Sequence, residues 1–98
     1  MAFFTYILAS KRNGTLYTGQ CDNISRRVEQ HKAKAVPGFT AKYGVDKLVW
    51  LEAHDTREQA WLREKQIKEW KRAWKIALIE RENPEWEDLS YKLNELLG

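Results

Sequence analysis

Thr5-Tyr6-Ile7-Leu8-Ala9-Ser10-Lys11-Arg12-Asn13-Gly14-Thr15-Leu16-Tyr17-Thr18-Gly19 is the stretch that decides the fold. Two apolar, aromatic-bearing runs flank Asn13-Gly14, a dipeptide that accepts the positive φ angles of a type I′ turn, so the stretch predicts a β-hairpin. With a two-residue turn, Ser10 opposes Tyr17 and Leu8 opposes Gly19, and strand alternation puts Tyr6 and Tyr17 on one face. A longer turn that slips the pairing by two residues keeps that parity. A slip by one sends the phenols to opposite faces. Gly19, inside the second run, marks a bulge or a close approach by another group.

Outward from the hairpin, Phe3 to Ser10 is nearly continuously apolar and reads as a central strand covered on both faces, with Leu16 to Gln20 as its shorter partner. Lys47 to Ala53 supplies a third strand through Leu48-Val49-Trp50-Leu51. Asp22 or Asn23 caps a helix over Ile24 to Lys32, in which Ile24, Val28 and His31 form the apolar stripe and Arg27 lies beside it. Lys34 to Tyr43, with Pro37-Gly38, reads as a loop holding a helical turn. From Asp55-Thr56-Arg57-Glu58, a capping-box start, helix formers run to Glu82. That length predicts a break near Trp70 to Ala73, with Ala60, Ile67, Trp74, Trp70 and Ala77 on the buried stripe. Asn83-Pro84 stops the run, and Glu85 to Leu97 reads as a last helix with Trp86, Leu89, Leu93, Leu96 and Leu97 on one side.

At 98 residues the chain predicts a single domain over 1–98, with a core through residue 83 and an acidic C-terminal helix over 85–97. Hydrophobic residues at 43% and charged residues at 32% exclude a disordered tail. A single cysteine, Cys21, excludes an internal disulfide and an all-cysteine zinc site and points to a reducing compartment. Ala2 to Ala9 lacks a basic flank and meets charge at Lys11, which argues against a signal peptide or membrane span; a cytoplasmic location is the expectation. Residues 1–75 carry 15 Lys and Arg against 8 Asp and Glu, whereas residues 76–98 carry 2 against 6. A basic body with an acidic tail points to a polyanionic partner on the body; a plain solvated, mixed-charge surface is the simpler alternative.

Two polar positions stand on apolar stripes. Glu64, between Ala60 and Ile67, leaves its helix at the edge of the buried face, where a carboxylate needs a cation, a metal or hydrogen bonds. An i,i+4 pair with Lys68 is the ordinary account. Arg27 offers a planar fork of donors suited to a phosphate, and His31, one turn later, can hold a water or move a proton near neutral pH. Alternatively, Arg27 snorkels over the core and His31 meets the helix dipole.

Tyr6, Tyr17 to Gly19, the Arg27-x3-His31 spacing and Glu64 within Arg63-Glu64-Lys65-Gln66-Ile67-Lys68 together resemble the GIY-YIG nuclease superfamily, in particular its small stand-alone bacterial members. The resemblance covers nearly the whole chain. It implies an α+β fold, a small three-stranded antiparallel sheet flanked by helices, and an endonuclease that hydrolyses phosphodiester bonds in DNA, in repair or processing, with one divalent metal, Mg²⁺ or Mn²⁺. Carried over by position, Glu64 is the metal ligand and Arg27 neutralises charge on the phosphate. Tyr17 is a candidate general base, with Tyr6 and His31 positioning groups or relaying protons. Arg26, Lys32, Lys34, Lys42 and Lys68 are the expected nucleic-acid contacts, on DNA with RNA as an alternative, and either a partner protein or the shape of the nucleic acid is expected to supply targeting. The chain departs from the family pattern at Thr5 and Thr18, at Gln20 where some members have lysine, and at Asn83, the nearest match to a family asparagine. These departures support a second reading, a nucleic-acid-binding module that kept the scaffold and lost catalysis. A third reading is an interaction protein that uses the acidic, Trp-bearing C-terminal segment.

Overall fold

The computed structural model describes residues 2–35 and 37–97. The hairpin forms as strands β1 (Phe3–Ala9) and β2 (Leu16–Cys21), antiparallel, with Leu8 opposite Tyr17 and Tyr6 opposite Gly19. This register is displaced by two residues from that of a two-residue turn. Ser10 N–H donates to Thr15 O at 3.0 Å and Gly14 N–H to Lys11 O at 2.9 Å, which closes a wider loop. Asn13 takes a φ of 57° while Gly14 stays out of the left-handed region, so the type I′ turn is corrected: that turn requires positive φ at both central residues. The displacement is even, and the two phenols keep to one face.

Strand β3 (Lys47–His54) pairs antiparallel with the other side of β1, giving the order β2-β1-β3 with a register shift between Ile7 and Leu8. The central strand is covered on both faces. Phe4, Tyr6 and Leu8 pack with Ile24 and Val28 of helix α1 (Ile24–Lys32), with Val45 and with Leu93. Ile7 and Ala9 on the other face pack with Val49, Trp50 and Trp86, with Ile67 of α3 (Arg57–Lys68), and with Leu78 and Ile79 of α4 (Arg72–Glu82). Between α1 and β3 runs the short helix α2 (Phe39–Tyr43), ended by Gly44 at a φ of 63°.

Helix α3 is fixed at its start and along its inner face. Thr56 Oγ1 accepts from Gln59 N–H at 3.1 Å and Gln59 Oε1 accepts from Thr56 N–H at 3.3 Å, a complete capping box. Thr5 Oγ1 donates to Ala60 O at 2.8 Å and lies 3.1 Å from His54 Nε2, tying β1 to α3 one turn before Glu64.

Two expectations about the C-terminal half are corrected. Glu69 to Lys71 interrupt the helix and reset its phase, so the stripe of α3 does not continue: Trp74 is 56% exposed, Ala77 is exposed, and Leu78 and Ile79 are buried instead. Residues 85–97 are not one helix. Trp86 adopts a φ of 56°, a 3₁₀ turn covers Leu89–Lys92, and α5 (Leu93–Leu96) is a single turn. The Asn83 side chain directs this path: Nδ2 donates to Val49 O at 3.0 Å and to Glu87 O at 2.9 Å, and Oδ1 accepts from Glu87 N–H at 2.9 Å. Trp86 and Leu93 are buried, whereas Leu96 and Leu97 remain exposed. Among the described residues no helix is long and apolar enough to cross a membrane.

Candidate active site

Three rings gather on the α1 face of the sheet. The Tyr6 and Tyr17 centroids lie 6.4 Å apart, with His31 at 6.3 Å from Tyr6 and 5.7 Å from Tyr17. Gly19 makes room for them: a Cβ there would stand 2.6 Å from the Tyr6 phenol oxygen and 3.0 Å from Tyr17 Cε2. The hairpin carries no bulge at this point, so the glycine serves the close approach of a side chain.

Burial and hydrogen bonds set the proton positions. Burial, reinforced by the neighbouring Tyr17 and opposed by the Arg27 cation, pushes the Tyr6 pKa well above the ordinary phenol value, so Tyr6 keeps its proton. Its O–H lies 3.5 Å from His31 Nε2, and His31 Nδ1 lies 3.0 Å from Thr40 Oγ1. With Tyr6 as donor, Nε2 accepts and Nδ1–H donates to Thr40. Burial, then the Arg27 cation, lowers the His31 pKa, with Asp46 acting the other way, which keeps the imidazole neutral at neutral pH. Cys21, on the same face, has its thiol pushed up by burial against the pull of Arg27, which leaves it a poor nucleophile.

Arg27, half-buried one turn before His31, acts electrostatically on Tyr6, His31 and Cys21, and it lines a polar groove with Asp22, Asn23 and Arg26. Glu64 comes from α3. Its carboxylate is 16% exposed and pairs with Lys68 Nζ at 2.5 Å; that ammonium lies 6.0 Å from the centre of the Tyr17 ring. The fold therefore gathers Tyr6, Tyr17, Arg27 and His31 and joins Glu64 to them through Lys68.

Among the described residues no group of three His, Cys, Asp or Glu side chains forms a metal cage. A mostly buried hard carboxylate that already holds one positive charge nevertheless fits a single divalent cation that keeps most of its waters. The other expected contacts divide. Arg26, Lys34 and Lys42 are exposed. Lys32 is part-exposed, and its ammonium donates to Asp88 Oδ2 at 2.6 Å and to Asp46 O at 3.1 Å, an internal tie. Gln20 Oε1 is buried without a hydrogen-bond partner among the described residues. Asn83 has all three of its amide contacts committed to holding the C-terminal segment on β3. Sequence reasoning missed Thr40, which sits in an irregular stretch with no periodic signal.

Residues 2–77 match the GIY-YIG catalytic domain family. A UPF0213 protein of Syntrophus aciditrophicus is 40% identical over 83 residues, which is 84% of this chain and 93% of that protein. One of Clostridium perfringens is 31% identical over 91 residues, 93% of this chain and 97% of that protein. The solution NMR structure of a UPF0213 protein from Bacillus halodurans superposes with a TM-score of 0.55 at 27% identity, covering 90% of this chain and 93% of that one. By sequence match, by fold and by its relatives among small stand-alone proteins, the chain belongs to the GIY-YIG nuclease family.

Proposed function

We propose that the protein is a metal-dependent endonuclease that hydrolyses phosphodiester bonds in DNA, with a role in repair or processing. One observation carries this reading: a neutral phenol–imidazole pair and a guanidinium share a sheet face, and a charge-balanced carboxylate is joined to them by Lys68. Glu64 would hold the divalent cation, Mg²⁺ or Mn²⁺. When bound, that ion supplies a Lewis acid for the phosphoryl oxygen. Arg27 faces the charge that builds on the phosphate during in-line attack. Tyr6 and Thr40 fix the tautomer and angle of His31. Tyr17, the more exposed phenol, with Lys68 over its ring, would take the proton of the attacking water as a phenolate, having first released its own proton to solvent. Arg26, Lys34 and Lys42 hold the nucleic-acid backbone, and a partner protein or the shape of the nucleic acid supplies selectivity.

The binding-module reading draws on Gln20, whose buried amide oxygen lacks a partner among the described residues, where some family members have a lysine. The interaction-protein reading would rest on the exposed side of residues 85–97, where Tyr91, Leu96 and Leu97 are exposed, and not on Trp86, which is buried with its Nε1–H donating to Glu80 Oε2 at 2.7 Å. Supercoiled plasmid incubated with Mn²⁺, Mg²⁺ or chelator decides between cutting and binding. Metal-dependent nicking that Glu64→Ala and Arg27→Ala each abolish, with melting curves unchanged, supports the nuclease. Cleavage that survives both substitutions defeats this site. Salt-sensitive binding without cleavage supports the module.

A further inference from the structure

Three large aromatic side chains that the proposed chemistry leaves unused stand open to solvent, one beside Glu64 on α3 and two on α2. Trp61, 49% exposed, lies three residues before Glu64 on α3 and lines a groove of about 260 Å³ with Glu64, Lys65 and Lys68. Lys65 Nζ sits 5.2 Å from the centre of its ring. On α2, Phe39 and Tyr43 are 49% and 51% exposed, pack on each other with centroids 4.9 Å apart, and have Lys42 Nζ 5.4 Å from the Tyr43 ring. Thr40, next to Phe39, is the residue that holds His31.

Single exposed aromatics are ordinary on protein surfaces. Here each exposed platform has a lysine at its face and belongs to an element that also carries or holds a site residue. Planar rings paired with cations match the two repeating parts of a nucleic-acid strand, a base with a π-face and a phosphate with a negative charge. Within a duplex those π-faces are covered by neighbouring bases, so an indole reaches one only where a base is unstacked. Three residues of helix rise about 4.5 Å, which places Trp61 within one nucleotide of a phosphate held at Glu64.

We propose that Trp61 stacks on an unpaired base next to the phosphate that is cut, with Phe39 and Tyr43 as a second stacking platform, so that the preferred substrate is single-stranded or locally unpaired nucleic acid. This rests on the nuclease reading of the same site. Lys65 contributes charge next to the stacked base, and the Trp61 ring contributes preference for the unpaired strand.

The test is binding of a fluorescein-labelled 20-residue oligothymidine and of a duplex of equal length, both in chelator so that no strand is cut. Trp61→Ala weakens oligothymidine binding about tenfold, the loss of one base–aromatic stack, while Trp61→Phe retains most of it. Duplex binding changes less than about twofold in both variants. A joint Phe39→Ala, Tyr43→Ala variant shifts the single strand in the same direction. Equal weakening of duplex and single strand overturns the proposal, as does an unchanged single strand or a parent protein that does not bind it. Because the measurement excludes metal, a protein that never nicks plasmid still answers it, and nicking that ignores Trp61 sinks this inference while sparing the nuclease.

Discussion

Tyr6 lies directly opposite Gly19 in the β1–β2 ladder, and its phenol occupies the space where a Cβ at residue 19 would stand, 2.6 Å from the oxygen. Tyr6 is fully buried, so the ring has no free direction in which to retreat. Gly19→Ala therefore overpacks the site and is expected to cost about 1–3 kcal/mol in denaturant unfolding. It also pushes the phenol off His31, so nicking falls by more than the fraction of protein unfolded. Wild-type nicking at full folding would sink the assignment of Tyr6 to the site.

Lys68 holds Glu64 at 2.5 Å, and a divalent cation entering at that carboxylate has to displace it. An i,i+4 pair of this kind contributes about 0.2–0.5 kcal/mol at an exposed position. Lys68→Ala should thus lower the half-saturating metal concentration about twofold. The maximal rate should fall, since Tyr17 loses the ammonium 6.0 Å from its ring. Cleavage rates across a Mn²⁺ titration separate the two effects; an unchanged half-saturation would place the metal elsewhere.

Burial and the Arg27 cation lower the His31 pKa in the fold. A histidine that binds protons more weakly folded than unfolded destabilises the fold once the unfolded chain begins to protonate. Its effect is absent above the unfolded value of about 6.5 and grows as pH falls from there toward the folded value. Asp88, the carboxylate whose pKa is lowered by its hydrogen bonds to Lys32 and Ser90 in spite of burial, acts only near and below the ordinary carboxylate range, outside this window. Urea midpoints at pH 7.5, 6.5 and 5.5 should decline for the parent, and His31→Gln should flatten that decline. Parallel slopes in the two proteins would refute a neutral, buried His31.

The hairpin and the shared face of Tyr6 and Tyr17 were legible because strand parity survives any even change of loop length. The loop itself differed from expectation, yet Tyr6 and Tyr17 still share a face. Glu64 was legible as a charge on an apolar stripe, and its ordinary partner Lys68 proved to be present as well. Helical phase was harder to read. The three-residue interruption at Glu69 to Lys71 rotates α4 relative to α3, and a heptad counted through it put Trp74 inside when it is exposed. The tie from Lys32 to Asp88 was not legible because the two lie 56 residues apart, a contact that no local pattern encodes. Trp86 fitted a helical stripe by spacing, but its positive φ follows from the tertiary bonds of Asn83.

Asn83 separates a structural role from a catalytic one. Its amide joins Val49 O on β3 to both the N–H and C=O of Glu87, is 6% exposed, and among the described residues makes no side-chain hydrogen bond to the phenol cluster. Each such bond contributes about 0.5–1.5 kcal/mol net, and the main-chain groups left behind are shielded from water. Asn83→Ala should then cost about 2–4 kcal/mol in urea unfolding and release the C-terminal segment, visible as a loss of amide protection over residues 83–93. Asn83→Asp should cost at least as much, because it aims a carboxylate at two carbonyl oxygens. At a temperature where both variants remain folded, the nicking rate and the half-saturating metal concentration should match the parent. A folded Asn83→Ala protein with a selectively lowered turnover would instead place this amide in the chemistry.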